Sequence, residues 1–106
     1  MYASVRRYTV APDSMDELMH RVDAGFAEKI SQQPGFCSYQ AIAAGDTTCI
    51  TVTCFREETD AHDSADMAAE WIKQELADIE IERLDASSGE IMVSRAESEV
   101  LEAAHH

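Results

Sequence analysis

Basic residues are scarce in this sequence. Eight lysines and arginines stand against 21 aspartates and glutamates, which gives a formal net charge of −13 at pH 7. Because such a chain repels phosphate backbones and anionic headgroups, its composition excludes nucleic acid as a partner and argues against membrane docking. No apolar run approaches the roughly 18 residues of a membrane span, and the opening residues do not form a signal peptide. We therefore expect a cytoplasmic protein.

Cysteine is also scarce. Cys37, Cys49 and Cys54 are an odd number, form no C-x-x-C pair and have no histidine at metal-ligand spacing. Neither a disulfide framework nor a metal site is predicted. Cys37 and Cys54 would face each other in a tight hairpin, which leaves two alternatives, a disulfide or two small buried hydrophobic residues. A reducing cytosol favours the second.

The patterns that are present predict one folded domain. Of the 106 residues, 45% are hydrophobic, which suffices for a core of its own. Period-2 alternation and helical spacing alternate along the chain, and the Pro34-Gly35 turn signal separates the first helix from the next strand. The predicted elements are strand 2–10, helix 14–31, strands 36–43 and 48–56, helix 59–80 and strand 90–96.

The order β-α-β-β-α-β predicts a ferredoxin-like α+β domain, an antiparallel sheet with two helices on one face. A two-residue Gly45-Asp46 loop would pair Tyr39 with Val52 and direct both toward the helices. No predicted element covers the other face of the sheet. A two-fold homodimer that packs the two sheet faces together would cover it most simply. The domain is expected to span 1–98, and the tail 99–106, with its LEAAHH ending, resembles a vector-derived tag.

Five segments carry a family resemblance: YASVRRYTV, QPGFCSYQAIAAGD, TCITVTCFR, MAAEWI and GEIMVSR. Together they resemble the antibiotic biosynthesis monooxygenase-like (ABM) domains of the dimeric α/β-barrel superfamily, over roughly residues 2–96. The resemblance implies a homodimer with a small cavity between sheet and helices in each subunit. It also implies a cofactor-independent monooxygenase, with no cofactor, acting on a small aromatic phenol, quinol or polyketide-like substrate. The alternative is a non-catalytic homodimer that binds a small ligand or stabilises a partner.

The resemblance also implies a pocket. Trp71 matches a helix-2 tryptophan of family cavities, and Met67, Phe26 and Tyr39 would complete the pocket walls. An indole can stack on a flat ligand and donate one hydrogen bond, although all four side chains would serve equally as core packing. Haem degradation in the family relies on a strand-1 asparagine and a histidine late in helix 2. This sequence contains no asparagine, and residues 73–80 contain no histidine, so haem degradation is not expected.

Three side chains are candidates for polar groups of the pocket: Arg6, Tyr8 and His62. Arg6 and Tyr8 share one face of the first strand. Arg6 either joins a polar network across the dimer or forms a site for an anion or phenolate. His62 could act as a base near neutral pH, but the surrounding acidic residues favour a solvated imidazole. No residue is assigned as catalytic.

Overall fold

A computed structural model describes residues 1–96, and the predicted domain boundary after residue 98 and the tail 99–106 lie outside them. Four strands and two helical segments follow one another in the predicted order. The first helical segment, α1, joins a 3₁₀ turn, two α-helical stretches and a π-helical turn without a break. The bounds are β1 Tyr2–Val10; α1 Pro12–Ser14 (3₁₀), Met15–Arg21 (α), Val22–Phe26 (π) and Ala27–Ser31 (α); β2 Phe36–Ala43; β3 Thr48–Phe55; α2 Glu58–Glu75; and β4 Ile81–Glu90.

The strands form one sheet in the order β2-β3-β1-β4, with every neighbouring pair antiparallel. α1 buries Leu18, Val22, Phe26 and Ile30, which recur every fourth residue and so form one apolar stripe. α2 buries the small residues Ala61, Ser64 and Ala68 together with Trp71. Both helices pack on the same sheet face, and the predicted ferredoxin-like α+β fold is confirmed. Neither helix is long and apolar enough to cross a membrane, as far as residues 1–96 are concerned.

The last strand lies earlier than its predicted position. β4 is Ile81–Glu90, whereas the predicted strand 90–96 forms no regular element beyond Glu90. α2 correspondingly ends at Glu75 rather than at residue 80. The reason is that β4 is an edge strand whose side chains are almost all exposed. Backbone hydrogen bonds to β1 define it, so its sequence carries little hydrophobic alternation.

The β2–β3 hairpin differs from the prediction by one residue. Phe36 pairs with Phe55 as predicted, but a bulge at Cys37 follows, and Tyr39 then pairs with Thr53 instead of Val52. At the other end, the Ala44 amide donates to the Thr48 carbonyl at 2.8 Å, which leaves a three-residue loop in place of the predicted Gly45-Asp46 pair.

This shift reverses the faces of β3, because neighbouring residues in a strand point to opposite sides. Thr51 and Thr53 are directed at the helices with Tyr39, while Ile50 and Val52 are on the open face. Cys54 pairs with Ser38 rather than Cys37, and all three cysteines are free.

The open face of the sheet has an apolar centre. Val5 pairs directly with Val52, and Ile42 pairs with Ile50. Val5 and Ile42 are 37% and 44% exposed. No element within residues 1–96 covers this face.

Candidate functional site

A cavity of about 20 Å³ lies between the sheet and the two helices. Its walls come from all four strands and both helices, and most of them are apolar. A space of this size holds about one water molecule, whereas small-molecule pockets usually measure several hundred Å³. A ligand larger than water therefore requires wall side chains to move.

Arg6 is the charged group at the centre of this site. Its side chain has 0% exposure and donates only to hydroxyl groups. The four acceptors are Thr51 Oγ1, 3.2 Å from Nε; Ser4 Oγ and Ser64 Oγ, 3.2 and 3.3 Å from Nη1; and Thr53 Oγ1, 2.9 Å from Nη2. The network therefore lies inside the protomer, closed by Ser64 of α2. A network across the dimer, one of the two alternatives predicted for Arg6, is excluded by this burial.

No carboxylate neutralises Arg6 within the described part of the chain. The ion pairs there lie at the surface, between Arg7 and Asp85 at 2.7 Å and from Arg21 to Glu17 and Asp78 at 2.8 and 2.7 Å. Hydroxyl dipoles alone compensate the buried charge. Because a buried charge without an opposite charge is costly, the arrangement favours an anion in the cavity.

Tyr8 and Tyr39 are the two phenols at the cavity. Burial raises the pKa of both, and the opposing effect of the Arg6 charge is smaller. Burial likewise raises the pKa of the Cys49 thiol. All three groups are therefore protonated at neutral pH, and the phenols can donate hydrogen bonds. No carboxylate or imidazole is among the described residues that line the cavity, so these walls supply hydrogen-bond donors and a positive charge but no base.

The aromatic wall consists of Phe26, Tyr39 and Trp71. The Phe26 ring centroid is 5.5 Å from that of Tyr39 and 5.6 Å from that of Trp71, at interplanar angles of 65° and 56°. Trp71 also lies directly against Gly25, where an added Cβ would be 2.8 Å from Cζ2 of the indole. Glycine is thus required for this approach.

Gly25 lies in the π-helical turn Val22–Phe26, and sequence reasoning missed both features. π-helical turns often occur at functional sites. A glycine inside an otherwise regular helical pattern was the available signal, because such a residue usually has a packing reason.

The structure brings together five of the seven predicted site residues: Arg6, Tyr8, Phe26, Tyr39 and Trp71. Met67 is half-buried against the core but does not line the cavity. His62 is exposed on α2 and lies outside the cavity. The functional roles of all seven stay predictions.

Sequence reasoning missed two polar groups of the site, Cys49 and Ser64. Cys49 lines the cavity, and the Ser64 hydroxyl accepts a hydrogen bond from Arg6. Ser64 had a weak signal, a lone hydroxyl on the alanine-rich stripe of α2.

A groove of about 530 Å³ runs beside the cavity, between α1 and the edge strand β2. The side chains of Val22 and Tyr39 line both spaces and so separate them. No hydrogen bond with another part of residues 1–96 holds the Tyr39 hydroxyl. Packing therefore holds the Tyr39 ring between the two spaces. Asp23 and Glu28 also line the groove and give it negative charge.

The described part of the chain contains no set of side chains suited to bind a metal ion. No group of three or more histidine, cysteine, aspartate or glutamate side chains is arranged there to hold an ion.

Comparison with known proteins shows the fold. No protein-family model and no curated protein matches this chain. Solved structures match over nearly its whole length. A protein of unknown function, NE2512 from Nitrosomonas europaea, is 14% identical with a TM-score of 0.70, covering 91% of this chain and 93% of its own. The haem-degrader MhuD from Mycobacterium tuberculosis, with two haems bound in its active site, is 17% identical with a TM-score of 0.67, covering 91% and 100%.

A third structure is a monooxygenase. The ActVA-Orf6 product of Streptomyces coelicolor, in complex with the ligand nanaomycin D, is 17% identical with a TM-score of 0.62, covering 90% of this chain and 92% of its own. This chain has the ferredoxin-like fold of these structures. The predicted ABM-like resemblance is thereby confirmed for the fold, which monooxygenases, a haem degrader and proteins of unknown function share.

Proposed function

We propose that this ABM-like protein binds a small, flat aromatic compound beneath Trp71 and oxidises it as a cofactor-independent monooxygenase. One observation carries the proposal. The buried Arg6 guanidinium and the phenols of Tyr8 and Tyr39 converge on a cavity with the aromatic walls Phe26 and Trp71. The similarity in fold to a monooxygenase with a bound ligand supports this assignment.

The proposed reaction is the oxygenation of an electron-rich carbon by O₂. An electron-rich CH₂ of an anthrone-type substrate reacts with O₂, so that one oxygen atom becomes the new carbonyl and the other leaves as water. The substrate supplies all four electrons. The substrate enters as its enolate or phenolate, having lost its proton to solvent, because the described walls contain no base. The side chains orient the ring by stacking on Trp71 and Phe26, hold the ionised oxygen against Arg6, and exclude water. Ionisation makes the substrate more electron-rich, and the fixed positive charge of Arg6 would favour the ionised form in the cavity.

Haem degradation has less support. The described residues that line the cavity include no histidine, and α2 ends at Glu75 without a histidine in its last turns. An imidazole ligand for haem iron is therefore missing from these walls.

A non-catalytic ligand-binding protein is the second candidate function. The near-filled cavity of about 20 Å³ and the absence of a base among its described lining residues favour it. Such a protein would bind an aromatic compound, or stabilise a partner, without consuming oxygen.

The proposed homodimer joins two copies through the open sheet face. Val5 and Val52 form the centre of that face, and Ile42 and Ile50 extend it toward the sheet edge. Exposed valine and isoleucine side chains side by side on a sheet form a patch that is usually covered by a partner. A two-fold axis through this face would place the two apolar centres on each other.

The deciding experiment uses Trp71, the one tryptophan of the chain. Its fluorescence is titrated with quinols, naphthols, anthrones and haemin, and oxygen uptake is recorded with every compound that binds. Saturable quenching with oxygen uptake supports the monooxygenase. Quenching without oxygen uptake supports the binding protein. No response to any compound contradicts both.

A matched pair of variants locates the site. Tyr39→Phe removes a hydroxyl at the cavity, and Tyr2→Phe removes one from a half-buried tyrosine outside it. We expect only Tyr39→Phe to change ligand affinity. Equal effects of the two variants would place the ligand elsewhere.

A further inference from the structure

We propose that the cavity selects acidic phenols and hydroxyquinones that are already anions at neutral pH, and that they bind with the ionised oxygen on Arg6 after displacing the Tyr39 ring. The inference rests on the proposed function and deepens it, because it names the class and the ionisation state of the ligand.

The first argument is the missing counter-charge. The chain has 21 carboxylate side chains, yet none of those described pairs with Arg6. The guanidinium has five N–H donors, and the contacts to Thr51, Ser4, Ser64 and Thr53 use four of them. The Tyr8 hydroxyl also lies beside the guanidinium, so every polar neighbour of Arg6 in the described residues is a neutral hydroxyl. A charge that is fully buried and bound by neutral hydroxyls alone interacts more strongly with an anion than with a neutral molecule.

The second argument is the absence of a base. The titratable groups near Arg6 are Tyr8 on β1, Tyr39 on β2 and Cys49 on β3, and Arg83 on β4 adds a second positive charge near Tyr8. α2 contributes the Ser64 hydroxyl.

None of these groups accepts a proton at neutral pH. An ordinary phenol is ionised to roughly one part in 1,000 at pH 7, so it would enter the cavity neutral. A phenol that is ionised in solution needs no base.

The third argument is the access route. Val22 and Tyr39 alone line both the cavity and the 530 Å³ groove beside it. The Tyr39 ring packs edge-on against Phe26. A planar ligand can take the place of this ring and keep the aromatic contact with Phe26 while its oxygen reaches Arg6.

The test uses 4-nitrophenol, which ionises near neutral pH and whose phenolate absorbs visible light. 4-Nitroanisole, its methyl ether, has nearly the same shape and no ionisable group. We expect the bound phenol to show the phenolate spectrum even at a pH below its own pKa, and to bind about tenfold or more tightly than the ether, the range of a charge-assisted hydrogen bond. Equal affinity for the two compounds, or the spectrum of the neutral phenol in the complex, would overturn the inference.

Variants of two neighbouring arginines assign the effect. Arg6→Met removes the buried charge, and Arg6→Lys retains it. Arg7→Met removes an exposed charge from the opposite face of β1 and is the matched control. Loss of the phenolate preference in Arg6→Met alone supports the inference, and an unchanged preference in a folded Arg6→Met variant contradicts it. If Arg6→Met does not fold, the spectrum of the wild-type complex still decides.

Failure of this inference is distinguishable from failure of the proposed function. Oxygen uptake with an anthrone, together with equal affinity for 4-nitrophenol and 4-nitroanisole, overturns the anion selectivity and retains the monooxygenase. Phenolate binding without oxygen uptake for any compound of the panel supports the anion selectivity and overturns the monooxygenase.

Discussion

Replacement of Gly25 by alanine tests how Trp71 is positioned. The new methyl carbon would be 2.8 Å from Cζ2 of the indole, closer than carbon atoms approach without displacement. The indole ring is rigid and packs against Phe26 at a centroid distance of 5.6 Å. Either the helix or the indole must therefore shift.

Two opposing effects set the size of the change. Gly→Ala inside a helix stabilises the folded state by roughly 0.5–1 kcal/mol when space is available. Overpacking of a core costs about 1–3 kcal/mol. We therefore expect Gly25→Ala to lower the free energy of unfolding by about 1 kcal/mol, which corresponds to a fall in Tm of roughly 4–8 °C for a domain of this size. A shifted indole would also change the near-ultraviolet circular dichroism.

Urea denaturation followed by far-ultraviolet circular dichroism measures this change in every variant, including one that lacks Trp71. Ala24→Gly, at the exposed neighbouring position in the same helical turn, is the control for the backbone contribution. Gly25→Ala should cost less in a Trp71→Phe background than in wild type, because the smaller ring makes room. If Gly25→Ala instead gains as much stability as Ala24→Gly loses, the close contact between Gly25 and Trp71 is refuted.

Three further predictions concern the interface, the buried phenols and the groove. Val52→Arg should convert the proposed dimer to a monomer in sedimentation equilibrium, whereas Ala69→Arg, on the exposed side of α2, should leave it dimeric. Burial raises the pKa of Tyr39 above the ordinary 10.0. The protonated phenol therefore stabilises the folded state fully below pH 10, and this stabilisation is lost as the pH rises toward the raised pKa. Tyr39→Phe should therefore lose less stability than wild type between pH 8 and about pH 11 in urea titrations, and parallel losses would contradict the assignment. Asp23→Asn removes a carboxylate from the groove and should speed the association of 4-nitrophenolate in stopped-flow experiments at low salt. At high salt the effect should be small, because ions screen the carboxylate, and equal acceleration at both salt concentrations would rule out this effect.

Local patterns predicted most of the elements, because hydrophobic periodicity depends on residues a few positions apart. The steps of four from Leu18 to Ile30 specify the buried side of α1 without knowledge of any partner. Local patterns likewise predicted strand β1 and the start of the β2–β3 hairpin. The position of β4 was not predicted in this way, because an exposed edge strand is held by backbone hydrogen bonds and needs no apolar alternation.

The candidate site was predicted in part. The aromatic residues Phe26, Tyr39 and Trp71 and the polar residues Arg6 and Tyr8 were named from face patterns and from the ABM-like resemblance, and they share one cavity. The near-filled volume of that cavity could not be predicted, because it depends on how rings from three elements interlock. The close contact of Trp71 with Gly25 could not be predicted for the same reason.

The sequence by itself determined the order of the elements, the acidic charge and the apolar side of α1, because each depends on composition or on near neighbours. Only the tertiary structure decided which side of β3 meets the helices. A single bulge at Cys37 reverses that choice without any change in the apolar pattern. It also decided the surroundings of Arg6, whose partners Thr51, Thr53 and Ser64 lie 45, 47 and 58 residues away along the chain. Contacts over such distances depend on the backbone pairing of β1 with β3 and on the packing of α2, which no local spacing encodes.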